Sequence, residues 1–289
     1  MITPDYNSAT GLRSFLDSRN LGMRKKYGQN FLINPAARNK LLDALGINAG
    51  DEVWEIGPGL GAMTKGLLER GAKVTAFEID PAFSNILREL FKEYDNFSLI
   101  EGDALKTWHK VPREKELFLM GNLPYNIAAT LLGDFIERKC FFSRMVVTVQ
   151  KETALRMTAR PGTKDYSSFT VLCSSVYKIT PLMILKGSSF FPVPHVDSQA
   201  VSLDLLKAED RPEYPPALYP LVRGLFSSRR KTLQNNLSNF ASSAIMDRVV
   251  IARILEEAGI DGSRRAETLD IKEFALLAKI LEDHLNHDN

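Results

Sequence analysis

The chain has 289 residues, 44% hydrophobic and 25% charged, with 37 basic against 35 acidic side chains. Those proportions exclude a collagen, a coiled coil or a disordered chain for its bulk, and the length suits one large domain or two unequal ones. No apolar run reaches the roughly 18 residues of a membrane span, the N-terminal stretch lacks the pattern of a signal peptide, and two apolar-flanked cysteines, Cys140 and Cys173, without metal-binding spacing predict a reduced cytoplasmic protein with no structural metal.

In chain order, residues 1–50 read as an N-terminal extension. Basic residues gather there: Arg19, Arg24, Lys25, Lys26, Arg38 and Lys40 fall between Ser18 and Leu42 with no acid among them. Such a run is either a solvated face or a place for a polyanion. From Asp51 to Gln150, β-rich runs alternate with amphipathic ones. Strands are predicted at Glu52–Ile56, Lys73–Glu78, Phe97–Ile100, Leu117–Met120 and Met145–Val149, and helices at Ala62–Arg70, Ala82–Glu93 and Ala128–Arg138. This alternation predicts βαβ units: a doubly wound, mainly parallel sheet with helices on both faces, whose ligands sit beyond the carboxyl ends of the strands. Helices are expected next at Lys151–Ala159 and Tyr166–Tyr177, then strands at Pro181–Leu185 and Ala200–Leu205. The charged, proline-rich stretch Lys207–Pro216 reads as a linker, followed by helices at Leu218–Phe226, Arg230–Phe240, Asp247–Ala258 and Ile271–Leu285. The division predicted is therefore residues 1–206 and a smaller all-helical domain, 207–289.

The first strand runs into Gly57-Pro58-Gly59-Leu60-Gly61-Ala62. Glycines at this place make a tight turn and let a ligand approach the backbone. Glu78 ends the next strand, 21 residues after Gly57, where a carboxylate can accept from ribose hydroxyls. A nicotinamide enzyme and a methyltransferase fit equally well to this point. Asp103, just past the third strand, favours the second, because its carboxylate can accept from an adenine amine. The bland alternative for Asp103 is a helix cap.

The fourth strand ends in Gly121-Asn122-Leu123-Pro124-Tyr125-Asn126. An exocyclic adenine nitrogen is a poor nucleophile because its lone pair is delocalised into the ring. The Asn122 side-chain oxygen and a backbone carbonyl can accept its two N–H groups and favour a more pyramidal nitrogen. Pro124 fixes φ and helps present the Leu123 carbonyl, while Tyr125 offers a ring on which the base can stack. Catalysis of this kind is mainly positioning and needs no metal.

The segments Tyr27-Gly28-Gln29-Asn30-Phe31-Leu32, Glu55–Gly61 and Gly121–Asn126 occur in one order with Phe190, Pro192-x-Pro194-x-Val196-Asp197-Ser198, and Arg229-Arg230-Lys231-Thr232-Leu233. In these the chain resembles the bacterial small-subunit ribosomal RNA adenine dimethyltransferase family. The resemblance covers residue 24 to about residue 240. Where the family commonly has Ile-Ser-Thr-Pro, this chain has Ile127-Ala128-Ala129-Thr130.

The resemblance implies a class I, Rossmann-like methyltransferase that moves methyl groups from S-adenosylmethionine to adenine amines, two per base. Its partner would be small-subunit ribosomal RNA or an immature small subunit, and a monomer is expected. It also implies that the N-terminal extension closes the cofactor site, with Asn30 and Leu32 enclosing the cofactor. Gly57 would lie against the methionine part, Glu78 would bind the ribose, and Asp103 the adenine. Asn122 would touch both cofactor and target, and Phe190 would close the face of the flipped base opposite Tyr125. Arg24, Lys25, Lys26, Arg229, Arg230 and Lys231 would hold RNA. An assembly factor with secondary methylation and a DNA adenine methyltransferase are the rival readings.

Overall fold

A computed structural model describes residues 3–23, 27–113, 116–124, 127–210, 214–240 and 248–287. The chain forms two compact units. One comprises Met1–Ala154 with Lys178–Leu205, the other Leu155–Tyr177 with Leu206–Asn289.

The first unit opens with helix α1 (Ala9–Asp17), a two-residue strand β1 (Phe31–Leu32) and α2 (Pro35–Leu45). Alternating strands and helices follow: β2 (Glu52–Ile56), α3 (Ala62–Glu69), β3 (Lys73–Glu78), α4 (Pro81–Leu90), β4 (Phe97–Glu101), α5 (Ala104–Thr107), β5 (Leu117–Asn122), α6 (Ala128–Glu137) and β6 (Arg144–Gln150). Helix α7 (Lys151–Met157) leads out of this unit and α8 (Ser168–Ser174) lies in the other. The chain then returns through β7 (Tyr177–Leu185), β8 (Phe190–Phe191) and β9 (Ser198–Leu205). The main sheet has the order β4-β3-β2-β5-β6-β9-β7. Strands β2 to β6 run parallel, and β9 returns antiparallel to β6. This is the mainly parallel α/β sheet that the strand–helix alternation predicts.

Alternation of side chains across β2 explains both its layers. Val53 packs with Leu41 and Leu67 on one face. Trp54 points the other way into an aromatic cluster, 5.1 Å from Phe77 and 5.7 Å from Phe142 between ring centroids. Phe135 joins it, 5.0 Å from Phe142 and 5.1 Å from Trp108. Edge-on ring pairs of this kind contribute about 0.5–1.5 kcal/mol each beyond their buried area. Glu55 shares the face of Val53, so a carboxylate is carried into the apolar layer between sheet and helices. Among the described residues, no helix is long and apolar enough to cross a membrane.

The second unit gathers α8 with α9 (Leu218–Phe226), α10 (Leu233–Phe240), α11 (Arg248–Glu257) and α12 (Ile271–His287). The sequence reading divides the chain once, after residue 206. The fold instead groups Leu155–Tyr177 with the later helices, because Tyr166 and Val171 are buried in one core with Leu218, Leu221, Leu237 and Phe274. The Tyr166 hydroxyl also donates to the Leu269 carbonyl at 2.8 Å.

Two local expectations are corrected. The predicted helix Tyr166–Tyr177 is shorter, because Ser167 caps it through a reciprocal pair with Thr170, and Tyr177 already begins β7. The predicted helix Arg230–Phe240 starts only at Leu233, so Arg229, Arg230 and Lys231 sit in a turn rather than on a helix.

Candidate active site

The cleft lies at the carboxyl ends of β2, β3 and β5, as the parallel topology requires. The chain leaves β2 through Gly57, Gly59 and Gly61, at φ 69°, 59° and 88°. A Cβ on Gly59 would stand 2.9 Å from the Phe31 ring, so that position has no room for a side chain and takes a backbone shape that L residues avoid. At Gly57 only the Asn122 carbonyl comes as near as 4.0 Å, so the missing Cβ there keeps the cleft open.

Glu78 ends β3 and is 4% exposed. Its carboxylate accepts from the Gly59 amide at 3.0 Å and from the Asp80 amide at 2.8 Å. It thus ties the glycine turn to the start of α4, where Asp80 caps the helix by accepting from the Ala82 amide. Burial pushes the Glu78 carboxyl up to about 7 against the pull of these amides. Glu55 is 2% exposed and accepts from the Thr64 hydroxyl at 2.6 Å. Burial raises it too, to about 7, with the nearby Glu78 adding to the rise. The sequence reading did not single out Glu55. Its signal was present: a charged residue inside the apolar part of the strand, between Trp54 and Ile56 and two positions before the first glycine.

The segment before α2 forms the opposite wall and is held at three points. Gln29 donates to Asp80 at 2.9 Å, the Asn30 carbonyl accepts from the Asn122 side-chain amide at 2.7 Å, and β1 pairs antiparallel with β8. The Asn122 contact orients its carboxamide: with the NH₂ group directed to Asn30, the side-chain oxygen is the end left to accept from a ligand. The Leu123 amide donates to the Thr148 carbonyl at 3.0 Å. The Pro124 carbonyl accepts from Ile127 and Ala128 at the start of α6.

Two cavities adjoin and share Tyr27, Gly57, Ile79 and Pro124. One is lined by Asn30, Leu32, Glu55, Gly57, Glu78 and Asn122 among others. The other is lined by Asp103 with Phe77, Gly102 and Ile127. Asp103 caps α5 by accepting from the Leu105 amide at 3.0 Å, and it also lines this cavity. Asn30, Leu32, Gly57, Glu78, Asp103 and Asn122 are brought together.

Phe190 lies beside one of them, Leu32, but outside the cleft. It is 2% exposed, pairs with Leu32 in the β1–β8 ladder, and packs in the core with Leu41 and Met120. It lines neither cavity, so its ring has no face open to a base in this structure. Tyr125 and the basic residues Arg24, Lys25 and Lys26 lie outside the described residues.

In the second unit, the turn after α9 carries Arg229, Arg230 and Lys231, all exposed. The buried Asn236 side chain donates to the Leu225 carbonyl at 2.9 Å and to the Ser228 carbonyl at 3.1 Å, which fastens this turn to the end of α9. Arg229 pairs with Glu267 at 3.0 Å and donates to the Lys164 carbonyl. Neutralisation of part of the cluster thus comes from an acid distant in sequence, which a scan of the flanking residues does not reveal.

The chain is similar to known proteins over most of its length. The sequence pattern of the family described as "Ribosomal RNA adenine dimethylase" matches residues 20–277. "Ribosomal RNA small subunit methyltransferase A" of Treponema denticola is 42% identical over 283 residues, covering 96% of each chain. The protein of that name from Treponema pallidum (strain Nichols) is 44% identical, covering 97% of this chain and 99% of its own. Among solved structures, a dimethyladenosine transferase from Plasmodium falciparum superposes with a TM-score of 0.73 at 28% identity, covering 88% of this chain and 97% of that one. The 23S rRNA methyltransferase ErmE shares the fold, with a TM-score of 0.62 at 23% identity over 87% of this chain and 99% of its own.

Proposed function

The chain belongs to the ribosomal RNA adenine dimethylase family, and from that premise we propose how its residues carry out the reaction. It is an RNA adenine dimethyltransferase acting on small-subunit ribosomal RNA. The methyl donor we assign is S-adenosylmethionine, and the residues present fit it. Glu55 and Glu78, both buried, line one cavity with the open turn at Gly57. Carboxylates there suit a ligand carrying an ammonium and a sulfonium, and repel the pyrophosphate of a dinucleotide. When bound, the donor supplies an electrophilic methyl group.

The protein's own part is positioning. Glu78 retains acceptor capacity for ribose hydroxyls, since a carboxylate has about four lone-pair sites and two are taken by amides. Asp103 faces the second cavity and can accept from an adenine amine. The observation that carries the reading is the Asn122 contact with Asn30. It leaves the Asn122 oxygen to accept an N–H of the target amine and helps orient that nitrogen's lone pair. The Leu123 carbonyl is the second acceptor we assign. The target base must leave its stack to reach this pocket. Tyr125 is proposed as its stacking platform; Phe190 can serve as the opposite one only after leaving the core.

We assign RNA contacts to Arg230 and Lys231, with Arg24, Lys25 and Lys26 as further candidates. A reducing cytoplasm is in keeping with two buried, unpaired thiols, Cys140 and Cys173, and the reading takes the working form as a monomer. The test is single-turnover methyl transfer to immature small subunits, with duplex DNA as the competing substrate. Asn122→Ala should lower the chemical step by at least about a hundredfold with RNA affinity within a few-fold of the wild type. Unchanged single-turnover rates would remove Asn122 from the mechanism, and methylation of duplex DNA in preference to subunits would overturn the substrate.

A further inference from the structure

Arg38 on α2 is 9% exposed. Burial lowers its pKa from arginine's ordinary value. Its guanidinium donates to the Tyr6 carbonyl at 2.9 Å, to the Leu32 carbonyl at 2.8 Å, and to the Asn7 side-chain oxygen. Burying a cation is costly unless its donors are satisfied, and these acceptors come from two segments far apart in sequence. Both segments wall the same cavity, since Tyr6 and Leu32 line it.

Tyr6 continues the chain of contacts. Its hydroxyl donates to the Leu60 carbonyl at 2.9 Å, inside the glycine turn. Burial, with Glu55 nearby, holds this phenol above its ordinary range, so it remains a donor throughout the working pH. The helix that follows seats Leu12, Phe15 and Leu16 on Leu60, Phe83, Ile86 and Phe191. Tyr6 and Leu12 also precede residue 20, where the family's sequence pattern begins.

We propose that Tyr6 and Arg38 are positioning residues of the methyl-donor cavity. Arg38 locks residues 6–7 to Leu32, and Tyr6 then holds the glycine turn in its receiving shape through Leu60. A turn built of three left-handed glycines has much freedom to lose, so pinning one carbonyl lowers the cost of binding. The proposal rests on the reading that this cavity takes S-adenosylmethionine.

The experiment is calorimetric titration with S-adenosylmethionine, paired with KM and kcat on small subunits. Tyr6→Phe keeps the ring and removes one donor, so Kd and KM for S-adenosylmethionine should rise about three- to tenfold, with kcat at saturation within about twofold. Arg38→Met should move both in the same direction by a larger factor, and Arg38→Lys should recover part of the loss. Phe142→Ala is the control for stability: it opens the aromatic cluster on the other face of the sheet and lines neither cavity, so it should lower the melting temperature and leave affinity unchanged. Wild-type affinity in Tyr6→Phe would overturn the proposal alone, as would an equal loss of affinity in Phe142→Ala. A wild-type protein that does not bind S-adenosylmethionine would overturn this proposal and the reading beneath it.

Discussion

Glu55 offers a quantitative check on the electrostatics of the cleft. Its carboxyl is buried beside Thr64 and Glu78, and burial raises its pKa from 4.5 to about 7 in the folded chain. Between those values the native state keeps a proton that the unfolded state has released. The stability Glu55 contributes is therefore full below about pH 4.5, declines as pH rises through about 7, and is level above. At 1.36 kcal/mol per pKa unit, that interval amounts to about 3 kcal/mol. Glu55→Gln removes the titration and keeps an oxygen for the Thr64 hydroxyl. Relative to the wild type, the variant should thus gain about 3 kcal/mol between about pH 4.5 and pH 8. Urea unfolding at a series of pH values measures this. Both tryptophans, Trp54 and Trp108, belong to the first unit, so their fluorescence follows its unfolding. Parallel pH profiles for variant and wild type would mean that Glu55 titrates normally and that its burial has no energetic weight.

Other perturbations separate the remaining roles. Glu78→Ala should weaken S-adenosylmethionine binding at least about tenfold by calorimetry and also loosen the turn, since two amides lose their acceptor. Gly59→Ala should cost about 1–3 kcal/mol in chemical denaturation, because it combines a left-handed backbone with a Cβ 2.9 Å from the Phe31 ring. With Arg229 paired to Glu267, replacing Arg230 and Lys231 by alanine should flatten the salt dependence of RNA binding by roughly one to two phosphate equivalents, at about 0.7–0.9 per contact. An unchanged slope would mark them as a solvated turn. Arg229→Ala should instead act mainly on the stability of the second unit.

Which parts of this molecule were readable from its sequence follows from how local their causes are. Strands β2 and β3 fall at their predicted bounds because each is a short β-rich run closed by a glycine or acidic turn. The glycine turn, Glu78 and Asn122 were legible for the same reason: each lies at the carboxyl end of a strand or directly after it. Helices α1 and α2 and the β1–β8 ladder went unseen. A two-residue strand has no period, and its partner lies about 160 residues away. The burial of Phe190 follows from that ladder and from the core beneath it, neither of which is written near Phe190. The basic turn was read as helix because its side chains give no clue that Asn236 bonds back to Leu225 and Ser228.

The β1–β8 ladder also sets an order of events during synthesis. Residues 27–32 supply one wall of the cleft, yet Phe31 and Leu32 find their strand partners only in Phe191 and Phe190. Strand β9, which comes later still, must then enter beside β6 to complete that side of the sheet. A nascent chain that has extended only through β6 holds the glycine turn, every carboxylate of the cleft and two of the three points that fasten the opposite wall, but lacks the strand partner of β1. The framing of this cavity is thus completed only when Phe190 and Phe191 have emerged, although most of its lining comes from the first half of the chain. Contacts of such long sequence separation are slow to form, so truncated or stalled chains ending before Phe190 should fold much of the sheet and still fail to retain S-adenosylmethionine.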